Sequence, residues 1–381
     1  MNVRSIFSDK QVNTGRQPEL DLAKALAILC LAPIHCIIEC TPEAGLVSGV
    51  PYLFDTIIGG PLSAPMYMFA MGIGMAYSRK NSWQALVKRG LLILAAGYLL
   101  NVCRSTIPYL LAYALTGDAE QYLTQIPYLT FMNDIFQFAG LATLVMAFFI
   151  WMRLPKTGML CIGLAASLAA TAIGTVDMGS PILNVLLGYL IGTEDAAGLV
   201  CSDFPLLHWM IVPIVGYLFG DCLRHVRDKR RFYLVVSIPC AAAAAVWFVR
   251  GICYGLGMFG EGQNCYYHIS TPDVIASLLA AVAMLGGYYV ICGHLPACLL
   301  DFASEVSRNI AKIYFIHWIL IAIIIRLALS VARGTQELPV GITMLLGVTI
   351  SALAVIVAHG VSAWQRLRAQ QRKTKGGTLS Q

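Results

Sequence analysis

PELDLAKALAILCLAPIHCIIEC, residues 18 to 40, is an apolar run of the length a helix needs to cross the ~30 Å hydrocarbon core of a bilayer. Between its polar ends it nevertheless carries Asp21, Lys24, His35 and Glu39. Lys24 and His35 stand eleven positions apart, close to three helical turns, so they share a face and are separated by ~16 Å along the axis. Asp21 and Lys24 lie one turn apart at one end, His35 and Glu39 one turn apart at the other. Ionisable side chains are costly inside a membrane and mark functional positions there.

The rest of the chain repeats the apolar pattern. Of 381 residues, 58% are hydrophobic, and 26 Lys and Arg with 20 Asp and Glu amount to only 12%, against ~25% charged residues in soluble domains. This composition excludes a secreted disulfide scaffold, a nucleic-acid-binding domain and a disordered chain. It predicts an all-α polytopic membrane protein, because a helix is the only open structure that satisfies its own backbone in lipid. Ten spans are predicted, near 20–40, 57–78, 86–104, 131–152, 157–176, 205–222, 232–250, 273–292, 309–331 and 340–361. Residues 181–192 are too short to cross and read as a re-entrant or surface helix.

Placing the N-terminus in the cytoplasm leaves only Arg104, Arg250, Arg326 and Arg333 of the 26 basic residues outside, as the positive-inside rule requires. Both termini are therefore expected to be cytoplasmic. Residues 1–19 lack a signal-peptide cleavage site and are expected to be retained. Residues 20–361 form one membrane domain, and 362–381 a basic tail expected to be disordered from Arg366. The twelve Cys show no metal-ligand spacing. Most, such as Cys30, Cys161, Cys240 and Cys292, read as small apolar packing residues. Cys40, Cys201, Cys253 and Cys265 are expected to face outward, where pairing stays open.

Lys24-x10-His35, preceded by Leu-Asp, resembles the first-span signature of the acyltransferase-3 enzymes, in which Arg or Lys is followed after ten residues by His. SRNIAKIYFIHWILI (307–321) is similar to the late span of that family, with Tyr314 and His317 in its Tyr-x-x-His stretch. GGPLSAPMYMFAMGIGMAYSRK (59–80), NDIFQFAGLATL (133–144) and FPLLHWMIVPIVGYLFG (204–220) resemble segments of the heparan-α-glucosaminide N-acetyltransferase group. The chain is thus identified as a member of the transmembrane acyltransferase superfamily. Two departures stand out: Leu92 replaces the second Arg of the third-span Arg-x-x-Arg, and His208 stands where the heparan-type pattern has proline.

The resemblance implies an acyl-CoA donor, acetyl-CoA above all, entering from the cytoplasm, and a carbohydrate or small-molecule acceptor presented from the outer side. No metal and no nucleic acid is implied. The lipid bilayer, in a bacterial cytoplasmic membrane, and a second copy in a homodimer complete the expected partners. Acyl transfer needs a base, a stabiliser for the oxyanion and a grip on an anionic donor. His35, which titrates near neutrality when unperturbed, is the expected base, oriented by Glu39 or Asp134. Lys24, Lys88 and Arg89 are expected on the CoA phosphates, with His317 and Tyr314 as further donor-site residues. Arg326 and Asn133 are assigned to the acceptor, Arg326 alternatively to a pair with Glu39. Two rival readings of the same residues are a transporter of a small anionic metabolite and a structural or sensory membrane subunit.

Overall fold

The computed structural model describes residues 6–42, 49–195, 202–254 and 264–377. Helix α1 (Pro18–Cys40) begins with Pro in its first turn, where the missing N–H costs no helical bond, and stops at an extended Thr41 before Pro42. Pro33 inside α1 cannot donate to the Leu29 carbonyl, and Ser351 Oγ donates to that oxygen instead at 2.9 Å. The remaining principal helices are α2 (Ala64–Tyr77), α3 (Trp83–Asn101), α4 (Ile135–Trp151), α5 (Lys156–Ile173) and α6 (Pro181–Gly188). They continue with α7 (Ile211–Arg224), α8 (Lys229–Cys253), α9 (Thr271–Cys292), α10 (Ala297–Arg308), α11 (Ile310–Ile321) and α12 (Val340–Gly377).

Among the described residues no strand forms, and eight helices are long and apolar enough to cross a membrane. The two remaining expected spans are shorter. The predicted 57–78 span is broken, with Gly49–Phe54, a π-helical turn Asp55–Gly59 and then α2, because Gly59, Gly60, Pro61 and Pro65 interrupt the helical ladder. The predicted 131–152 span starts only at Ile135, where Asp134 caps α4 and Gln137 returns its bond to the cap backbone. The segment expected to be re-entrant or superficial is the eight-residue α6. Two further differences concern polar stretches. α10 is amphipathic, with Asp301, Glu305 and Arg308 among its apolar positions, so no apolar window revealed it. The basic stretch from Arg366, expected as coil, continues α12 to Gly377. Cys201 and the side chain of Cys265 lie outside the described residues.

The helices pack as two apolar clusters. One is built mainly from α2, α4, α5, α7, α8 and α9, the other from α1, α10, α11 and α12, and Ile135 touches both. Very close crossings hold the first cluster together: a Cβ on Gly216 would meet Phe69 O at 2.2 Å, and one on Gly72 would meet Pro213 O at 2.1 Å. Small residues that let backbones approach are how membrane helices gain contact without a hydrophobic driving force between them. α1 runs through the second cluster against α9, α10, α11 and α12, and its polar face therefore lies between helices.

Candidate active site

Two helices depart from α geometry where they meet. α3 passes through a π-helical segment, Val102–Thr106, before continuing as Ile107–Thr116, and α11 passes through another, Ala322–Leu329. Wide turns of this kind free backbone carbonyls and re-aim side chains, and they gather at functional sites. Here they carry Arg104 and Ser105 on one side and Arg326 on the other, all buried. Arg326 clamps Glu39 of α1 through both nitrogens, Nε to Oε2 at 3.0 Å and Nη2 to Oε1 at 2.5 Å. Its Nη1 donates to Ser105 Oγ at 2.7 Å. Each nitrogen of this fork has an acceptor, and such pairing is the condition under which a buried ion pair is tolerated.

One turn below Glu39, the His35 ring stacks on Trp318 with centroids 4.2 Å apart, and Arg104 lies over the same Trp318 ring at 4.4 Å. His35 Nδ1 is 2.9 Å from His317 Nε2, and His317 Nδ1 is 3.2 Å from Ile313 O. A carbonyl oxygen only accepts, so His317 Nδ1 carries the proton. Neutral His317 then accepts at Nε2, and His35 must donate from Nδ1. His35 Nε2 is left with its lone pair. His317 is buried, whereas His35 is half-buried, so the basic nitrogen belongs to the more accessible ring.

Asp134 is held from two sides. Arg104 Nη1 lies 2.6 Å from its Oδ2, and Tyr314 OH donates to the same oxygen at 3.3 Å. Asn133 Nδ2 donates to Phe204 O at 2.8 Å and to Ser202 Oγ at 3.3 Å, fixing residues 202–204 beside the cap of α4. The neighbouring Asp203 donates its backbone N–H to Asn133 O at 2.9 Å. Burial and the Asp134 carboxylate push the Asp203 carboxyl up to about 8, with Arg104 and Arg326 pulling it the other way.

Of the residues singled out in the sequence, His35, Glu39, Asn133, Asp134, Tyr314, His317 and Arg326 thus gather in one place. One expected pairing forms, Arg326 with Glu39, and the others differ. The His35 ring is partnered by His317, while Glu39 belongs to Arg326 and Asp134 to Arg104 and Tyr314. Tyr314 and His317, expected on the donor, sit beside the imidazole. The inner basic residues do not assemble with it. Lys24 lies 3.7 Å from Asp21, which also pairs with Arg16 and accepts from Ser307. Lys88 and Arg89 are exposed near the start of α3. Three participants escaped the sequence reading: Arg104, Trp318 and Asp203. Arg104 had a signal, a lone cation at the end of an apolar window; the two others had none. At the basic end, an open cleft of about 540 Å³ is lined by Arg227, Asp228, Lys229, Arg230 and Tyr289. Lys229 there pairs with Glu19 of α1 at 2.5 Å.

A bundle of apolar helices around paired imidazoles and buried ion pairs defines an integral membrane protein with a polar, charged site among its helices. The family model for heparan-α-glucosaminide N-acetyltransferase, catalytic, matches residues 16–251, well over half of the chain. The chain belongs to that family, a family of membrane acetyltransferases. No curated protein and no solved structure matches it. The matched stretch contains His35, Glu39, Arg104, Asp134 and Asp203, whereas Tyr314, His317, Trp318 and Arg326 lie beyond its end.

Proposed function

We propose that the chain moves an acyl group, acetyl in the first instance, from acyl-CoA at the cytoplasmic face to a hydroxyl or amine of a carbohydrate acceptor reaching the site from the outer face. The observation that carries this reading is the relay Ile313 O, His317, His35, which leaves the half-buried His35 ring with an unprotonated Nε2. That nitrogen is the general base. It takes the proton of the acceptor nucleophile as the nucleophile attacks the thioester carbonyl, and returns it to the departing sulfur. Arg104 is assigned to the oxyanion, since its Nε is buried without a partner among the described residues while its Nη1 holds Asp134. Asp134, itself held by Tyr314 OH, keeps Arg104 in position.

The donor's phosphates belong at the basic end, near Lys24 and the cleft of Arg227, Lys229 and Arg230. The ~16 Å between Lys24 and His35 is the span that a pantetheine arm has to cover. Purified protein in lipid nanodiscs, incubated with labelled acetyl-CoA and a panel of sugars and amino sugars, tests the reaction. Transfer that falls by ~10² to 10⁴ in His35→Ala, with CoA binding retained, is the expected result. Counterflow of a small anion without any acyl transfer would make the chain a transporter.

A further inference from the structure

The reaction above gives no task to Glu39 or Asp203, and of the two only Asp203 lacks an ion-pair partner among the described residues. It is half-buried in the segment 202–205, ahead of the Leu206–Trp209 turn that leads into α7. Two backbone-directed bonds fix it. Its own N–H reaches Asn133 O, and the Asn133 side chain holds Phe204 O on its other side. His268 Nε2 completes the clamp by donating to Ser202 O at 3.1 Å.

The charges around Asp203 do not balance. Glu39 is taken by Arg326 and Asp134 by Arg104, while Asp203 has no ion-pair partner among the described residues. Two guanidinium groups thus face three carboxyl groups, and an uncompensated charge removed from water is costly. Its carboxyl is accordingly held up at about 8 by burial and Asp134. A second imbalance lies next to it. Asn133 Oδ1, fully buried, accepts nothing among the described residues, although the amide's own NH2 is doubly engaged. Buried acceptors are normally paired. With Arg104 Nε kept for the oxyanion, this corner has one carboxyl group more than it has guanidinium groups and an open acceptor at Asn133 Oδ1, and an ammonium group on the acceptor answers both.

We propose that Asp203 is a second proton-accepting residue of the site, the carboxylate that receives a primary ammonium group on the acceptor and takes its first proton. The assignment rests on the acyl-transfer reading. The ammonium gives one proton to Asp203 and becomes a neutral amine, whose lone pair forms the new C–N bond at the thioester carbonyl. His35 Nε2 takes the second proton from the resulting tetrahedral adduct, the C–S bond breaks, and that proton passes to the CoA sulfur. The products are the amide and CoA thiol, and Asp203 releases its proton to water. An alcohol brings no cation, so it has no use for Asp203.

The test uses the full chain in nanodiscs, as wild type, Asp203→Asn and Asp203→Glu, with D-glucosamine and D-glucose as probes. Infrared difference spectra should show a protonated carboxyl band that is lost when glucosamine is added to the wild type, that persists with glucose, and that is missing from Asp203→Asn. Acetyl transfer to glucosamine should fall by about 10²-fold or more in Asp203→Asn and recover in Asp203→Glu. Binding of CoA, measured separately, should be equal in all three and reports that the variants are folded. A band indifferent to glucosamine, or an Asp203→Asn protein acetylating glucosamine at the wild-type rate, overturns the assignment. Glucosamine-dependent loss of the band without any acetyl transfer leaves Asp203 as the ammonium site and removes the reaction instead.

Discussion

The tautomer of His35 is decided by a backbone carbonyl on another helix. Ile313 O fixes the proton on His317 Nδ1, and that choice propagates across the 2.9 Å contact to leave the His35 lone pair on Nε2. On the proposed reaction His317 is therefore a positioning residue. His317→Phe should lower the maximal rate by about 10- to 100-fold, the range seen when an imidazole loses its outer partner. The Michaelis constant for acetyl-CoA should be unchanged. A kinetic comparison that finds a raised constant with an unchanged rate would return His317 to the donor. Asp203 yields a prediction of a different kind. Its carboxyl titrates near 8 in the folded protein, against ~3.9 unfolded. Between those values the native state holds a proton that the unfolded chain has lost, so this stabilisation is complete below ~4 and disappears as pH rises through about 8. The thermal midpoint should fall from pH 5 to pH 9 in the wild type and fall less steeply in Asp203→Asn.

Helices in this protein are shaped as much by what interrupts them as by what extends them. The crossing of α2 and α7 works because Gly72, Gly216 and Gly220 offer no side chain where the backbones meet. Gly216→Leu forces a branched side chain against the Phe69 carbonyl, and overpacking of this sort costs ~1 to 3 kcal/mol. The variant should lose folded yield in a detergent melt, whereas Gly74→Leu, where a Cβ meets nothing within 4 Å, should not. Much of this scale was legible in advance. Eight crossing helices and the short α6 follow from apolar length. The π-helical turns at Arg104 and Arg326 were not legible, because they are set by tertiary contacts between the two helices and leave the apolar pattern intact. The same holds for Pro33, whose orphaned carbonyl finds Ser351 more than three hundred residues away.

At the scale of the molecule, the site joins residues from the two ends of the chain. His35 and Glu39 come from α1, while His317, Trp318 and Arg326 lie on α11 and its continuation. A sequence shows which residues are chemically unusual, and here it marked seven that converge. It offered the Arg326–Glu39 pair as an alternative, yet it did not show that His35 pairs with His317 or Asp134 with Arg104. Orientation in the membrane remains the premise on which the donor side depends. CoA is too anionic to cross lipid, so the proposed donor site at Lys24 requires that end of α1 to face the compartment that holds acyl-CoA. The positive-inside rule makes the cytoplasmic side the expected one for that end. Single cysteines replacing Thr14 and Gly376 in a cysteine-free background should react with an impermeant maleimide only in inside-out vesicles. A cysteine replacing the exposed Asp177 should react from the opposite side. Labelling of position 14 from the outside would put the basic cleft and Lys24 away from the cytoplasm, and the donor would then have to reach His35 past Glu39 and Arg326.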